Sequence, residues 1–297
     1  GGSASLNPHY VVHPLEGIKK ALGEDIEVTY AKGCHTHKFL PAIPEDLFLE
    51  NDGFSVDFYD GQEFEGSPIE TKILKGNKFW AMGGFGLDIV AQSKRPSLSV
   101  RFSGTLKPEF SGEFDFEIFS IGPSRLLIDG DVLIDNWTSQ DPGETFFAMG
   151  SAPRRGKIEF IEGQTYSLVI EYKWEGRFPA VQIGMQAPDQ FDLMEEATSL
   201  AKEADAVILI AGTNSDWETE GNDRSSLDLP SNQDELIEKV CNLNKNTVVV
   251  LNTGSPCEMP WVNQANSILQ CWFPGQEFGN SLSDVLFGEV NPCGKLP

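Results

Sequence analysis

The chain has 297 residues, 40% of them hydrophobic and 23% charged. At about 100–200 residues per domain, this length accommodates two domains, and the composition supports a buried core rather than disorder. Lys plus Arg number 22 against 45 Asp plus Glu, a net charge of −23, which repels phosphate backbones and sets nucleic acid aside as a partner. No apolar run approaches the roughly 18 residues of a membrane helix. The longest is Ala206 to Ala211, so no membrane partner is expected.

The opening, GGSAS, has no Met, no basic segment and no apolar segment, and it reads as an internal start rather than a signal peptide. Leu15, Ile18, Ala21 and Leu22 form a helical stripe that Gly23 stops. Ile26-Glu27-Val28-Thr29-Tyr30 alternates like a strand. From residue 38 to 191 the composition changes. Seventeen of the 20 Phe lie between Phe39 and Phe191, and all five Cys (Cys34, Cys241, Cys257, Cys271, Cys293) lie outside that span. This middle region reads as all β: Phe114, Phe116 and Ile118 alternate with polar residues, as do Tyr166, Leu168 and Ile170. Asp129-Gly130 between LLI and DVLI marks a tight hairpin, because both residues tolerate positive φ. Short strands separated by Gly, Pro and Asp turns suggest a β-sandwich.

The helix–strand pattern then resumes. Leu193, Ala197, Leu200, Ala201 and Ala204 recur at helical spacing behind an Asp192 cap, with Glu195 placed for a reciprocal cap. AVILIAG (206–212) reads as a strand buried on both faces. Ser231 is read as the cap of a helix carrying Leu236, Ile237, Val240 and Leu243. Strands follow at Thr247 to Leu251 and Ser267 to Trp272, and a last helix carries Phe278, Leu282, Val285 and Leu286 up to Gly288. Such alternation means crossover units. The expected fold is therefore an α/β three-layer sandwich with a mostly parallel sheet, formed by 1–37 and 192–297, with an all-β sandwich domain, 38–191, inserted.

The densest ionisable cluster is GTNSDWETEGNDRSSLDLP, 212–230, at the carboxyl end of the 206–212 strand, where functional loops of open α/β sheets lie. If the stretch is extended, Asp216, Glu218 and Glu220 share one face. Mutual repulsion, with desolvation by Trp217, would then raise a carboxyl pKa as a general acid requires. On residue chemistry alone, a solvated acidic loop tied by an Asp223–Arg224 pair is the simpler reading. Cys34-His35-Thr36-His37 lacks a second ligand pair for a metal. Asp129-Gly130-Asp131 with Asp135 is explained as a turn without calcium. GGFG (83–86) lacks the context and the Lys of a phosphate loop. No cofactor and no metal are expected. Trp217, Trp261 and Trp272 are candidates to stack on sugar rings, with core packing as their default role. The odd cysteine count predicts mostly buried free thiols rather than a disulfide framework. The sequon Asn136-Trp137-Thr138 tips the compartment slightly toward secretion.

The loop segment WETEGNDRSSLDLP resembles the acid/base loop of fungal and yeast β-glucosidases of glycoside hydrolase family 3. GGSAS, NPHYVVHPLEGI, NTVVVLNTGSPCEMPW and CWFPGQEFGNSLSDVLFGEVNPCGKLP are similar to the same family in the same order, over nearly all of 1–37 and 192–297. GFSVDFYDG and LLIDGDVLIDNW in the middle region resemble the protective-antigen-type β-sandwich that some members insert here. The resemblance implies a retaining, exo-acting β-glucosidase acting on small glucosides or oligosaccharides. An amino-terminal (β/α)8 barrel would carry the Asp nucleophile, and this region would lend the acid/base Glu. That Glu maps to Glu220, directly before Gly221, with Glu218 the nearest competitor and Trp217 a substrate-binding candidate. No barrel is present in the sequence, so the chain is expected to be an internal piece of a longer enzyme, inactive in isolation, with the barrel as its partner in cis. A homo-oligomer is compatible with this reading. The competing classes are a non-catalytic carbohydrate-binding module, which the lack of any Asp-Asp dipeptide weakens, and a glycosidase of other specificity such as a β-xylosidase.

Overall fold

The computed structural model describes residues 6, 8–76, 78–80, 97–175 and 178–296; the GGSAS opening and the GGFG segment lie outside the described residues. The chain divides into two compact units, one made of Gly1–Lys38 with Asp189–Pro297 and the other of Phe39–Pro188.

In the Phe39–Pro188 unit, two antiparallel sheets share one apolar core. Among the described residues the strands are β1 (Phe54–Asp60), β2 (Glu70–Leu74), β3 (Lys78–Trp80), β4 (Ser97–Leu106), β5 (Gly112–Ile121), β6 (Ser124–Ile128), β7 (Asp131–Asn136), β8 (Arg154–Phe160), β9 (Tyr166–Glu175) and β10 (Ala180–Gln186). Six form a sheet in the order β2-β1-β4-β9-β6-β7 and four another in the order β3-β10-β5-β8. The period-2 pattern explains which side chains turn inward: Phe54, Phe58, Phe102, Phe114, Phe116, Phe160 and Tyr172 of both sheets meet in the core. The rings pack edge-on or tilted, as their quadrupoles favour, for example Phe54 on Phe102 and Phe114 on Phe160. The β6–β7 hairpin turns at Asp129 and Gly130, with φ of +50° and +90°, the geometry expected of that dipeptide. Asp129 also accepts a hydrogen bond from Ser167 N–H, which accounts for its carboxylate.

Asn136 of the sequon is fully buried. Its amide nitrogen donates to the hydroxyls of Ser120, Ser124 and Ser151. The side chain is a packing element, and its sequon says nothing about the compartment of the folded chain.

The other unit holds a parallel sheet in the order β11-β12-β13, from Val207–Gly212, Thr247–Asn252 and Ser267–Gln270. Among the described residues four α-helices accompany it: α1 (Pro14–Leu22), α2 (Leu193–Glu203), α3 (Gln233–Leu243) and α4 (Phe278–Leu286). Leu209, Ala211, Val249 and Leu251 cluster with Ala201 of α2 and with Leu236, Ile237, Val240 and Cys241 of α3. The Asp192 carboxylate caps α2 by accepting from the N–H groups of Met194 and Glu195. Helices α1 and α4 approach closely through two glycines: a Cβ on Gly17 would lie 2.2 Å from Gly279 O.

Three local expectations are corrected. Residues 26–30 pair with no strand among the described residues, and Ile26 and Tyr30 are exposed; alternation alone does not make a strand without a neighbouring ladder. Ile210 is 40% exposed, so the 206–212 run is not buried on both faces; β11 is an edge strand among the described residues. Ser231 is not a cap. It stands at φ +60°, and Asn232 occupies the cap position without a side-chain capping bond.

Candidate active site

The acidic loop leaves the carboxyl end of β11 at Gly212 and rejoins the fold at α3. Gln233, the first residue of that helix, ties the two ends together. Its buried amide accepts from Gly212 N–H and donates to the carbonyls of Gly212 and Pro230. The sequence offered no motif for this role, because a Gln at a helix start is ordinary until its tertiary partners are known.

The loop is not extended. Asn214 starts a tight turn: its carbonyl accepts from the N–H groups of Trp217 and Glu218, and its side chain from that of Asp216. Asn side chains favour such turns. Asp216, Glu218 and Glu220 therefore do not alternate along one extended face. Glu218 points inward, with its side chain 13% exposed. Its Oε1 accepts from Thr213 Oγ1 and from Gly254 N–H. Arg224 lies 4.0 Å from the same oxygen and donates to Ser255 Oγ, Pro256 O and Asp228 O. The expected pairing of Arg224 with Asp223 is thus replaced by backbone and hydroxyl acceptors and by proximity to Glu218.

Glu220 is placed differently. Thr219 and Asn222 form an isolated bridge around a two-residue turn whose second residue, Gly221, has φ +84°. That conformation suits glycine, and it leaves Glu220 exposed at the turn tip. Of two carboxylates two residues apart, one is thus turned inward between strand ends and the other is exposed at the turn tip.

Trp217 donates its indole N–H to Thr36 O at 2.7 Å, and Lys38 Nζ sits 5.8 Å from the ring centroid. Trp261 is buried, with its N–H on Asp234, so core packing accounts for it. Trp272 and Phe273 follow β13, at the same sheet edge as the loop, and are 42% and 44% exposed; Trp272 adopts φ +57°. His35 lies between Lys32 Nζ, at its Nδ1, and the Asp189 carboxylate, at its Nε2, which gives this histidine of the Cys-His-Thr-His segment a hydrogen-bonding role. Among the described residues no group of three His, Cys, Asp or Glu is gathered to hold a metal. The five cysteines are free, and burial raises the thiol pKa of Cys34, Cys241, Cys257 and Cys271.

Comparison with known proteins places this arrangement. Residues 1–297 match the model of the glycosyl hydrolase family 3 C-terminal domain. The chain is 35% identical to a beta-glucosidase of Rhizobium radiobacter over 305 residues, covering all of this chain and 36% of the relative. It is 37% identical to a probable beta-glucosidase I of Aspergillus terreus over 319 residues, covering all of this chain and 37% of that one. Among solved structures, a beta-glucosidase from Kluyveromyces marxianus in complex with glucose superposes with a TM-score of 0.84 at 32% identity, over all of this chain and 36% of that one. The chain thus spans a little over a third of the length of the relatives it matches. With its whole length matched in sequence and in structure, the chain belongs to the glycosyl hydrolase family 3 C-terminal domain family.

Proposed function

We propose that this chain is the part of a retaining, exo-acting β-glucosidase that supplies the acid/base carboxylate, and that Glu220 is that group. The nucleophile would come from an amino-terminal barrel in the same polypeptide. The observation that carries the assignment is the contrast between the two glutamates. Glu218 is turned inward against Thr213, Gly254 and Arg224, whereas Glu220 is exposed on the Gly221 turn, at the tip of the loop that leaves the carboxyl end of β11. A retaining glycosidase needs one carboxylate to attack and one carboxylic acid to protonate the leaving oxygen, about 5–5.5 Å apart. In the first step Glu220 gives its proton to the glycosidic oxygen as the bond to the sugar breaks. In the second it takes a proton from the water that releases glucose. Trp217 offers a sugar its ring, since its N–H is committed to Thr36.

The test is Glu220→Gln in the longer enzyme that joins this region to a barrel. General acid catalysis is worth about 100- to 10,000-fold, so glucosides with poor leaving groups slow by that order and activated aryl glucosides slow less. Azide restores turnover and yields β-glucosyl azide, because a small anion needs no base. Equal losses across leaving groups, with no azide product, would overturn the assignment.

A further inference from the structure

The side chain two residues before the proposed acid links three parts of the fold. Thr213 directly follows β11 and Gly254 lies just beyond β12, and both donate to Glu218 Oε1, the Gly254 N–H at 3.1 Å. Arg224, 4.0 Å from that oxygen, stands on the returning limb of the loop, two residues beyond the 219–222 turn, and is itself held by Ser255, Pro256 and Asp228. One carboxylate therefore bridges the ends of two adjacent parallel strands and meets the cation on the returning limb of the loop. Gly254 supplies an independent observation. A Cβ there would lie 2.7 Å from Glu218 Oε2 and 2.6 Å from Phe273 Cε2, so a side chain at 254 would oblige the Glu218 carboxylate or the Phe273 ring to shift.

We propose that Glu218 is a positioning residue: by clamping the feet of the turn to the strand ends, it fixes where Glu220 can reach. The proposal rests on reading Glu220 as the acid/base. A largely buried carboxylate that accepts from a hydroxyl and an N–H is costly to displace, because leaving those donors unpaired costs more than the bonds themselves contributed. The turn is short, so movement of its feet by about 1 Å displaces the tip carboxylate by a comparable distance, enough to cost about 100-fold where proton transfer must occur within hydrogen-bond reach.

The experiment compares Glu218→Ala, Glu218→Gln and Gly254→Ala in the longer enzyme, measuring kcat and KM over aryl glucosides of graded leaving-group ability, with Glu220→Gln alongside. Glu218→Ala should lower kcat by about 10- to 100-fold on poor leaving groups and distinctly less on activated ones, with little change in KM. Glu218→Gln keeps an acceptor for Thr213 and Gly254 and should recover about tenfold of that loss. Gly254→Ala should reproduce the leaving-group pattern, and combining it with Glu218→Ala should add little, since both break one contact set. A loss of the same size for every leaving group in both Glu218→Ala and Gly254→Ala would mark a general folding defect and overturn the proposal. So would a Glu218→Gln variant as impaired as Glu218→Ala. If Glu220→Gln itself shows no leaving-group dependence, the acid assignment fails first; if it does and the clamp variants do not, only the clamp fails.

Discussion

Replacing Glu171 by Gln should destabilise the β-rich unit, and the loss should vanish in acid. One row of outward positions runs in register across five strands: Asp57 opposite Arg101, Arg101 opposite Glu171, Glu171 opposite Arg125, and Arg125 opposite Asp135. Glu171 is the centre of this alternating ladder. Its Oε1 accepts from Arg101 Nη2 at 2.7 Å and its Oε2 from Arg125 Nε at 2.7 Å. The carboxylate side chain is 8% exposed, the two arginines 32% and 35%. Burial pushes the Glu171 pKa up, but the hydrogen bonds and charges of the two arginines outweigh it and hold the carboxyl below its usual range. Hydrogen bonds to charged groups are worth about 1.5–3 kcal/mol each. Partial exposure of the arginines reduces this, and Gln keeps one acceptor oxygen, so the substitution should cost about 2–4 kcal/mol at pH 7. At about 2–4 °C per kcal/mol for a unit of this size, the calorimetric transition of this unit in the 297-residue chain should fall by roughly 5–15 °C. The pH dependence has a definite sign. A depressed carboxylate pKa contributes stability that is complete above the unfolded value of about 4.3 and is lost as pH falls through the folded value. The gap between wild type and Glu171→Gln should therefore be full at pH 7 and close in strong acid. A gap under about 0.5 kcal/mol at pH 7, or one that persists undiminished in acid, would refute the reasoning.

Three further outcomes follow from other parts of the molecule. Expressed in a glycosylating host, the folded chain should carry no glycan at Asn136, whose amide is spent on three buried hydroxyls; intact-mass measurement showing one would contradict the packing. Gly17→Ala should destabilise the chain by about 1–3 kcal/mol in urea unfolding through overpacking against Gly279, in spite of alanine's helix-propensity advantage of about 1 kcal/mol; a stabilised variant would show that α1 and α4 separate freely. Residues 38–191 expressed alone should unfold cooperatively, because the shared core of the two sheets is drawn from within that span; a gradual, non-cooperative signal would count against an independent folding unit.

What the sequence determined by itself is what depends on neighbours along the chain. The stripe from Leu15 to Leu22 and its Gly23 stop, the Asp192 cap, and the Asp129-Gly130 hairpin all formed where the local pattern placed them, since helical spacing, capping and left-handed turn geometry are settled within a few residues. The position of the acidic loop after a strand of the parallel sheet was legible for the same reason. Tertiary structure decided everything that needed a distant partner. Residues 26–30 alternate, yet strand formation requires a ladder from elsewhere. Asn136 reads as a glycan acceptor until three serines brought in from β5, β6 and the segment before β8 surround it. Asp216, Glu218 and Glu220 look equivalent along the chain. The turn at Asn214 and the backbone N–H of Gly254, 36 residues away, separate them into one carboxylate clamped between strand ends and one held out at the tip. That separation is decided by hydrogen bonds across the sheet edge, which no local pattern encodes.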